Sequence, residues 1–519
     1  MKISIVSVED GIVAIGFRKI ASLLKALHPA AEICYVSPDK NSSLYSHLIR
    51  GGGSHNSMDR NNCQLIAEYL SKSEMVCFSS MTTHSALTIQ IIRAIRAINS
   101  SVYIVWGGIH PIVCPCDAIK YADAICVGEG ETAFQEFLSH YQRGTDYTKV
   151  RNFWFKENNK IIRNEFRPLH THEELSGFLF PIYADDELVF KRGKGFIPLS
   201  SNKYISNYGT AYNTIWAIGC PFGCNYCSNS LFIENDNNYR NLRYPSVDYI
   251  VSEIKSVLKK HRHIGAVHFV DDSFLALPVP VLQEFAEKWK SEINLPFHVF
   301  GVIPNYVTYE KILLLVDAGM SRVRMGIQSG SDRILKFYNR PSRNITTVKA
   351  AGILNRFKER MMPPAYDIIT DNPIETKDDV VGTLNMLYNL PRPYLLTVFS
   401  LAVVPGTKID RDLKSMGVTY KHISKGIFKF TPTMANTLIY IIGVLRVPQG
   451  LFDYLITKAI PFTEKQPLYP ITYNLFRILH LLQKIYAAFK FSEFSLYPGW
   501  FAGMIKKIKI KTRPKRIIH

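Results

Sequence analysis

The stretch IWAIGCPFGCNYCSNS, residues 215–230, places Cys220, Cys224 and Cys227 in a CxxxCxxC array. Thiolates are soft metal ligands, and three of them on one short segment can hold one face of a metal cluster. A 4Fe–4S cluster usually takes four thiolates, so three leave one iron open. An open coordination position indicates chemistry rather than a structural role. The array therefore predicts a catalytic 4Fe–4S cluster.

The residues around the array predict a strand that leads into a loop. Apolar residues from Trp216 onward indicate a short strand that ends at the first cysteine. A zinc knuckle is the alternative, but zinc takes a fourth Cys or His nearby, and the next histidine is His261. Turn-forming residues predict a loop between the cysteines, and they are Pro221, Gly223 and Asn225.

This array, with Tyr226 directly before its last cysteine, resembles that of the radical S-adenosylmethionine (SAM) superfamily. The resemblance implies that the amino and carboxylate groups of SAM chelate the open iron. It also implies that the reduced cluster cleaves SAM to a 5′-deoxyadenosyl radical, with electrons from a low-potential flavodoxin or ferredoxin. We therefore expect a 4Fe–4S cluster and SAM as cofactors.

The composition predicts a large globular protein in a reducing compartment. With 519 residues, 47% of them hydrophobic, the chain has room for two or three domains. Nine cysteines in this length do not indicate a disulfide framework. The start MKISIVSVEDG lacks a signal-peptide pattern, and no run of about 18 apolar residues predicts a membrane span. We therefore expect a cytoplasmic protein.

Residues 1–145 are predicted to form a first α/β domain. This alternation of short apolar strands with helices is typical of a doubly wound, Rossmann-like parallel sheet. Ligands of such sheets bind at the carboxyl ends of the strands. The predicted strands are 3–8, 33–36, 75–79, 102–106 and 124–127, and the predicted helices are 13–27, 64–70, 87–98 and 132–141.

Three strand ends in this domain, SSMTTH (79–84), WGGIHP (106–111) and VGEGE (127–131), together resemble the cobalamin-binding domain fused to many radical SAM enzymes. The histidine-containing DxHxxG motif of methionine-synthase-like domains is absent, so the lower axial ligand of cobalt stays undecided. His84 and His110 lie at strand ends, and an ordinary hydrogen-bonded loop histidine is the alternative for each. A flavodoxin-like fold without a cofactor is the alternative for the domain. The residues implied to bind cobalamin are Ser79, Thr82, Gly107, Gly108, His110, Gly128, Glu129 and Gly130.

Residues 146–209 are predicted to connect this domain to the next one. The turn-forming sequence Asn158, Asn159, Lys160 predicts a hairpin between strands at 151–156 and 161–165. Residues 181–209 are predicted to form a loop. No chemistry is assigned to this connector.

Residues 210–410 contain a second run of strands and helices. Beyond the cluster loop, strands are predicted at 265–270, 297–302, 321–327, 365–370 and 395–404. The segments HFVDDSF (268–274), RMGIQSGSDRILKFYNRP (324–341) and YDIITDNPIET (366–376) resemble strand motifs of radical SAM enzymes, although Ile374 replaces a glycine of the usual turn. The resemblance implies a partial (βα)6 barrel with its site at the carboxyl ends of the strands.

The same resemblance implies seven SAM-binding residues, which are Tyr226, Asp271, Asp272, Gln328, Ser329, Arg340 and Asp367. One of the paired aspartates would accept a hydrogen bond from the SAM ammonium, and the tyrosine backbone would contact adenine. The glutamine and the third aspartate would bind ribose hydroxyls or the amino-acid moiety. The arginine has a planar fork that suits the carboxylate. A structural cap or a surface charge is the alternative for each residue.

Residues 411–519 are predicted to form a helical, basic region, with helices at 434–445, 451–460 and 473–489. The region has 18 Lys and Arg against 4 Asp and Glu, out of a net charge of +19 for the chain. Such a charge attracts anionic surfaces such as lipid head groups, but no nucleic-acid-binding motif accompanies it. Two interpretations stay open, a packed helical cap with a disordered basic tail and a peripheral membrane contact; the aromatic residues before the last basic run are Tyr497, Trp500 and Phe501.

The two resemblances together predict a cobalamin-dependent radical SAM enzyme, with C-methyltransferase as the favoured activity. The radical would take a hydrogen from an unactivated carbon of a small-molecule or lipid-like substrate, and methylcobalamin would supply a methyl group. One alternative is a radical cyclase or rearrangement enzyme without methyl transfer. Another is a methylthiotransferase, whose second cluster would need three cysteines such as Cys34, Cys77 and Cys126. A cobalamin or iron–sulfur sensor is the non-enzyme alternative.

Overall fold

The computed structural model describes residues 1–38, 58–199, 210–423 and 433–459, together with two helical residues at 478 and 482. The strands of this described part form a nine-stranded sheet and a six-stranded sheet. The strands of the first sheet are β1 Ile3–Val8, β2 Glu32–Val36, β3 Met75–Ser80, β4 Tyr103–Gly107, β5 Ala124–Cys126, β6 Phe153–Glu157, β7 Lys160–Arg163, β8 Leu188–Lys191 and β9 Gly195–Pro198.

The first sheet has the strand order β7-β6-β5-β4-β3-β1-β2-β8-β9. Its six central strands, from β5 to β8 in that order, run parallel, and antiparallel strands complete each side. The helices that follow its strands are α1 Ile15–Leu27, α2 Arg60–Leu70, α3 Ser85–Ile98, α4 Ile109–Val113, α5 Pro115–Ala118, α6 Glu131–Arg143 and α7 His172–Gly177.

Apolar residues on both faces of β1 explain why helices cover both sides of this sheet. Ile3 and Ile5 belong to one buried cluster with residues of α1 and α6. Val6 and Val8 belong to a second buried cluster with residues of α2 and α3. Since successive side chains of a strand point to opposite faces, the two clusters are the two cores of a doubly wound sheet. The predicted fold class of this domain is confirmed.

Part of the predicted connector belongs to the first sheet. The hairpin expected around residue 159 is present as β6 and β7. The loop predicted for residues 181–209 is wrong over β8 and β9, which form a second hairpin beside β2. This edge is held by a buried ion pair, in which Arg18 Nη1 of α1 lies 2.9 Å from Glu187 Oε1. The pairing of Glu187 with a residue so distant in sequence explains why local sequence pattern predicted a loop.

The second sheet consists of six parallel strands in sequential order, β10 to β15. This arrangement confirms the partial (βα)6 barrel. The strands are β10 Ala211–Thr214, β11 Ala266–Phe269, β12 Phe297–Val302, β13 Met320–Gln328, β14 Ala365–Thr370 and β15 Leu395–Ser400. The helices of this half are α8 Asn229–Asn235, α9 Val247–Lys260, α10 Val279–Lys288, α11 Tyr309–Ala318, α12 Asp332–Phe337, α13 Asn344–Asn355, α14 Lys377–Asn389 and α15 Lys408–Ser415.

The strand that leads toward the cysteines ends earlier than predicted. β10 stops at Thr214, and the expected strand from Trp216 to the first cysteine is absent from the described residues. The backbone N–H groups of Trp216 and Ala217 donate to Asp271 Oδ1, at the end of β11, instead of to a neighbouring strand. The Asp271 side chain thus replaces the backbone hydrogen bonds of a neighbouring strand, and the chain leaves the sheet before the cysteines.

Two further helices lie beyond the barrel, α16 Met434–Val444 and α17 Gln449–Tyr454, with a π-helical turn at Leu455–Ala459. These agree with the first two helices predicted for this region. Most of the predicted helix at 473–489, and the aromatic residues at 497, 500 and 501, lie outside the described residues. Among the helices that are described, none has both the length and the apolar character to cross a membrane.

Candidate active site

The three cysteines lie on a loop that neighbouring segments hold on both sides. Cys220 and Cys224 are buried, and Cys227 is partly buried. The Cys220 N–H donates to Tyr239 O at 3.1 Å, which ties the start of the loop to the segment after α8. Asn225 donates through its backbone N–H to Tyr338 O at 2.9 Å. The loop is therefore fixed between α8 and α12.

Gly219 permits the close approach at the start of this loop. Its φ is +105°, a conformation that side chains disfavour. A Cβ atom there would lie 2.7 Å from Asn241 O and 2.8 Å from Tyr239 O. Any larger residue would therefore push the first cysteine away from its backbone partner.

Burial controls the ionisation of the thiols. Burial, with smaller contributions from Asp272 and Cys224, raises the pKa of Cys220 to about 11, although Arg340 and a backbone hydrogen bond lower it. Arg340 Nη1 lies 3.7 Å from Cys224 Sγ, while its Nη2 donates to Gly326 O at 2.7 Å. Arg340 is thus a cation placed directly against the cluster ligands.

The arrangement of the thiols suits a cluster. Within the described residues, no three His, Cys, Asp or Glu side chains lie close enough to hold a single metal ion. A 4Fe–4S cluster needs a wider spacing, because its thiolates bind different irons. Cys227 lies near enough to Cys220 and Cys224 for both to raise its pKa. The three thiols therefore fit the predicted group.

The paired aspartates after β11 have different surroundings. Asp271 is buried, and its Oδ1 holds the chain that enters the cluster loop, as described above. Its Oδ2 is buried without a hydrogen-bond partner in the described structure, and burial raises its pKa to about 7. Asp272 is exposed and lies near enough to Cys220 and Cys227 to raise the pKa of both thiols. Asp272 is therefore better placed than Asp271 to bind a molecule that contacts the cluster.

Among the other predicted SAM-binding residues, Gln328 and Tyr226 lie close to Arg340 and the cluster loop, whereas Ser329 and Asp367 form hydrogen bonds elsewhere. The Gln328 side chain lies over Gly326, next to Arg340, and the Tyr226 ring packs against Tyr338 with centroids 5.1 Å apart. Ser329 instead accepts from the Ser331 N–H at 3.1 Å within its own turn. Asp367 lies inside the barrel, where both of its oxygens accept from Arg324 Nε at 2.9 Å.

The predicted cobalamin-binding loops pack against each other at the carboxyl end of the first sheet. Gly108 has a φ of +87°, and a Cβ there would lie 2.8 Å from Ser80 N and 3.0 Å from Ser79 Oγ. Trp106 Nε1 donates to Ser80 Oγ at 3.0 Å, and the His110 ring lies 4.9 Å from the Trp106 ring. The segments SSMTTH and WGGIHP therefore form one surface.

Buried polar atoms without partners mark this surface as a ligand site. Thr82 Oγ1, Ser7 Oγ and His110 Nδ1 are buried and lack hydrogen bonds in the described part of the chain, whereas His110 Nε2 lies 3.6 Å from Asp117 Oδ2. Buried polar groups in proteins are almost always satisfied, so these atoms fit a bound polar ligand such as cobalamin. Burial lowers the pKa of His110 to about 4, which keeps its imidazole neutral. His84 lies nearby, with Nε2 3.6 Å from Asp10 Oδ1.

Glu129 forms two ion pairs that the sequence analysis did not predict. Its Oε1 lies 2.7 Å from Arg243 Nη2, and its Oε2 lies 2.8 Å from His170 Nδ1. Burial raises the pKa of Glu129, but hydrogen bonds from His170 and Arg243 outweigh it and bring the pKa to about 2. Arg243 and Ile218 exchange backbone hydrogen bonds of 2.8 and 2.9 Å. The Glu129 carboxylate thus links the VGEGE segment to the cluster loop.

The ligand-binding edges of the two sheets face each other. A Cβ at Gly406, after β15, would lie 3.8 Å from Val113 O, at the end of α4. A cavity of about 200 Å³ lies between the two halves. Its apolar lining comes from both, with Ile109, Ile112 and Val127 from the first half and Ile218 and Phe232 from the second. The two halves therefore enclose an apolar cavity where they meet.

The cysteines required by a methylthiotransferase do not converge. Cys34 belongs to the buried cluster on one face of the first sheet. Cys77 and Cys126 belong to the cluster on the other face. The sheet itself separates them, so they do not form the second cluster site that this alternative needs.

Comparison with known proteins agrees with this geometry. Residues 214–387 match the model of the radical SAM superfamily, and residues 58–138 match that of the B12 binding domain. An uncharacterized methyltransferase of Pyrococcus horikoshii is 25% identical over 62% of this chain. The matched part of this chain spans 64% of the length of that relative, just under two thirds. The bacteriochlorophyllide d C-8(2)-methyltransferase of Chlorobaculum tepidum is 24% identical over 80% of this chain and 83% of its own.

The fold also matches a solved structure. The cobalamin-dependent SAM radical enzyme OxsB, solved with aqua-cobalamin and SAM bound, aligns with a TM-score of 0.61 at 13% identity. The alignment covers 98% of this chain and 75% of that one. At this identity, the match concerns the fold alone.

Proposed function

Because this chain belongs to the radical SAM enzymes that carry a cobalamin-binding domain, we propose that it is a C-methyltransferase. Its cofactors are a 4Fe–4S cluster, SAM and cobalamin. The observation that carries the proposal is the contact between the two ligand-binding edges, where the segment after β15 meets the end of α4. A substrate in the space between them is within reach of both cofactors.

The residues of this chain have separable tasks in such a reaction. Cys220, Cys224 and Cys227 hold the cluster, which with SAM supplies a hydrogen-abstracting radical, while cobalamin supplies the methyl group. Arg340, directly beside Cys224, binds the SAM carboxylate. Asp272 accepts from the SAM ammonium.

The names of the relatives favour methyl transfer. The two described above are named methyltransferases, one of them of a bacteriochlorophyllide, whereas a more distant relative, from Rubrivivax gelatinosus, is named a magnesium-protoporphyrin IX monomethyl ester cyclase. For this chain the proposal extends to a small-molecule or lipid-like substrate and a flavodoxin or ferredoxin as electron donor. Cytoplasmic localisation, with peripheral membrane contact through the basic residues beyond 459, belongs to the same proposal.

Product analysis after anaerobic reconstitution tests methyl transfer without knowledge of the substrate. The protein is loaded with iron, sulfide and hydroxocobalamin, and is then given SAM and titanium(III) citrate. We expect about four irons and one cobalt per chain. We also expect S-adenosylhomocysteine, which reports loss of the SAM methyl group, in addition to 5′-deoxyadenosine, which reports radical formation.

The cluster variant provides the control. Replacement of Cys220, Cys224 and Cys227 by Ala is expected to abolish iron binding and 5′-deoxyadenosine while cobalt binding persists. Formation of 5′-deoxyadenosine without S-adenosylhomocysteine, in protein that holds cobalamin, would contradict methyl transfer and favour a cyclase or rearrangement. Iron without cobalt would remove the proposed source of the methyl group.

A further inference from the structure

The cluster loop reaches the surface between its first two cysteines. Cys220 and Cys224 are buried, whereas Pro221, Phe222 and Gly223 between them are each partly exposed. These three residues, the loop tip, are all that separates the two cluster ligands along the chain. A molecule that contacts the loop tip from outside is therefore only a short turn of backbone away from the cluster.

Side chains from outside the loop hold the loop tip in place. Asn339 Nδ2, in the turn after α12, donates to Gly223 O at 2.8 Å. Arg240 Nη1, at the end of the short turn after α8, donates to Pro221 O at 3.3 Å. The loop tip therefore has a fixed position relative to the two neighbouring segments.

Two aromatic rings belong to the same surface. The Phe222 ring packs against the Tyr306 ring with centroids 5.7 Å apart, and both residues are partly exposed. Burial and, to a lesser extent, the nearby Cys220 raise the pKa of Tyr306, so this ring lies close to a cluster ligand. Aromatic residues are enriched in protein interfaces, where they supply a large contact area. The rings thus form an apolar centre that suits a protein partner.

The residues around this apolar centre are basic. Arg340 contacts the cluster ligand Cys224, whereas Arg240, Lys336 and Arg343 are exposed and are here called the basic rim. Within the residues that the structure describes, none of these three exposed cations forms an ion pair. The segments that meet at the loop tip contain these four cations and no Asp or Glu, and they are residues 215–230, 237–241, 303–307 and 335–343.

Hydrogen bonds show that the basic rim borders the loop tip. Lys336 is the residue before Phe337, whose carbonyl oxygen accepts from Asn225 Nδ2 of the cluster loop at 2.8 Å. The residue before Arg343 donates through its hydroxyl to Asn305 Oδ1, next to the second aromatic ring, at 2.5 Å. The third cation of the rim bonds the loop tip directly, as described above. A partner that covers the aromatic rings therefore also meets the basic rim.

We propose that the loop tip and the basic rim are the docking site of the protein that reduces the cluster, and that this donor carries acidic residues around its redox centre. Opposite charges steer two proteins toward each other, and charges at the rim of an interface act mainly on the rate of association. One electron leaves the reduced centre of the donor and enters the cluster, and no bond forms or breaks in this transfer. The proposal rests on the flavodoxin or ferredoxin named in the proposed function, and it does not depend on methyl transfer.

Anaerobic stopped-flow mixing of the reconstituted protein with an acidic flavodoxin in its hydroquinone form, and separately with a reduced acidic ferredoxin, tests this surface. We expect the second-order rate constant of cluster reduction to fall about tenfold or more in the rim variant, Lys336→Glu with Arg343→Glu. The wild-type rate constant should fall as ionic strength rises from about 20 to 300 mM, and the rim variant should depend less on salt. Arg240 is left unchanged because it also holds Pro221 O.

The double variant Lys259→Glu with Lys290→Glu is the matched control, with the same change in net charge. Both residues are exposed and lie at the end of α9 or just after α10, the helices that lead into β11 and β12. They are therefore at the amino ends of these strands, opposite the cluster, and the control should be reduced at nearly the wild-type rate. Photoreduced 5-deazariboflavin, a small uncharged reductant, should reduce all three proteins equally because it needs no docking surface.

Three results would overturn the proposal. The first is an equal rate constant for the rim variant and the control, or a wild-type rate constant that does not depend on salt. The second is failure of both donors to reduce wild-type protein that 5-deazariboflavin reduces. The third is binding of phosphatidylglycerol vesicles that the rim variant loses while its donor rates stay unchanged, which would assign this surface to a membrane. Absence of S-adenosylhomocysteine together with the expected rates would contradict methyl transfer and leave the docking site standing.

Cross-linking of the wild type covers the case in which the rim variant fails to fold. A water-soluble carbodiimide joins a lysine amine to a carboxylate in direct contact, and it takes up the water that is released as the amide forms. Peptide mass spectrometry should find Lys336 joined to a carboxylate of the donor and Lys290 not joined. Cross-links to the donor that omit Lys336 would contradict the proposal.

Discussion

At the scale of single residues, the cluster loop depends on two positions that carry no cofactor chemistry. Gly219 lets the chain pass against the carbonyls of residues 239 and 241. Asp271 replaces a strand partner for the backbone of Trp216 and Ala217. Both effects place Cys220, because the loop starts directly after them.

Gly219→Ala is predicted to impair cluster binding. The new Cβ would overlap two backbone carbonyls and would require a left-handed φ, a strain of about 1–3 kcal/mol from the backbone alone. We expect a lower iron content per chain after reconstitution than in the wild type. Gly265→Ala is the matched control, since a Cβ there meets no atom within 4 Å. Equal iron content in the two variants would show that the close approach at Gly219 is unimportant.

Sequence spacing predicted the cysteines because the three ligands lie within one short loop. It predicted Asp271 only as a ligand of SAM, whereas its Oδ1 supports the loop backbone. The sequence also has a pattern that indicates polar residues inside the barrel. His268, His298, Arg322 and Arg324 are polar residues at alternating positions of strands whose other face is apolar, which is the pattern of a polar barrel interior.

At the scale of elements, α16 is the part of the C-terminal region that completes the barrel. It packs on β15 and α14, and its residues Leu438, Ile439, Tyr440 and Ile442 are buried. Arg392 donates to Ile442 O and Gly443 O at 2.6 and 2.8 Å. β15 is an edge strand of the sheet, so this helix covers apolar surface that would otherwise face water.

Ile442→Ala is predicted to destabilise the protein by about 2–5 kcal/mol, because a buried side chain is lost and leaves a cavity. Urea denaturation monitored by circular dichroism measures the change. Ile345→Ala removes the same atoms from a side chain that is 63% exposed and should shift the midpoint little. A similar shift in both variants would mean that α16 does not stabilise the barrel.

Element prediction succeeded where apolar residues recur along a strand and failed at β8. The strands β11 to β14 were predicted within a few residues, since each has several apolar residues that alternate with or follow polar ones. β8 is four residues long and follows Asp185, Asp186 and Glu187. Its stability depends on the Arg18–Glu187 ion pair and on pairing with β2, neither of which leaves a local pattern.

At the scale of the whole molecule, a buried charge network joins the two halves. Glu129 belongs to the first half, His170 to the segment between β7 and β8, and Arg243 to the second half beside Ile218. Sequence analysis assigned Glu129 to cobalamin and gave the segment of His170 no role. Contacts between residues more than one hundred positions apart, such as Glu129 and Arg243, have no signature in a single sequence.

The Glu129–His170 coupling is predicted to weaken as pH rises from 6 to 9. Burial lowers the pKa of His170, but the Glu129 hydrogen bond outweighs it and raises the pKa above its ordinary value. The stabilisation is therefore complete below about pH 6.5 and is lost as pH rises through the raised pKa. Glu129, with a pKa of about 2, stays ionised throughout this range.

A double-mutant cycle of Glu129→Gln and His170→Gln, followed by denaturation at both pH values, measures this coupling. We expect about 1–3 kcal/mol at pH 6 and less at pH 9. A coupling that is constant across this range would show that the His170 charge does not contribute.

The order of the strands along the chain also sets the order of assembly. Every strand of the first sheet lies between residues 3 and 198, and every strand of the second lies between residues 211 and 400. At a synthesis rate of about 5–20 residues per second, the last strand of the first sheet is synthesised roughly 10–40 s after initiation, before the cysteine loop. Since N-terminal domains generally fold first during synthesis, we expect the first half to fold before the cluster half is complete.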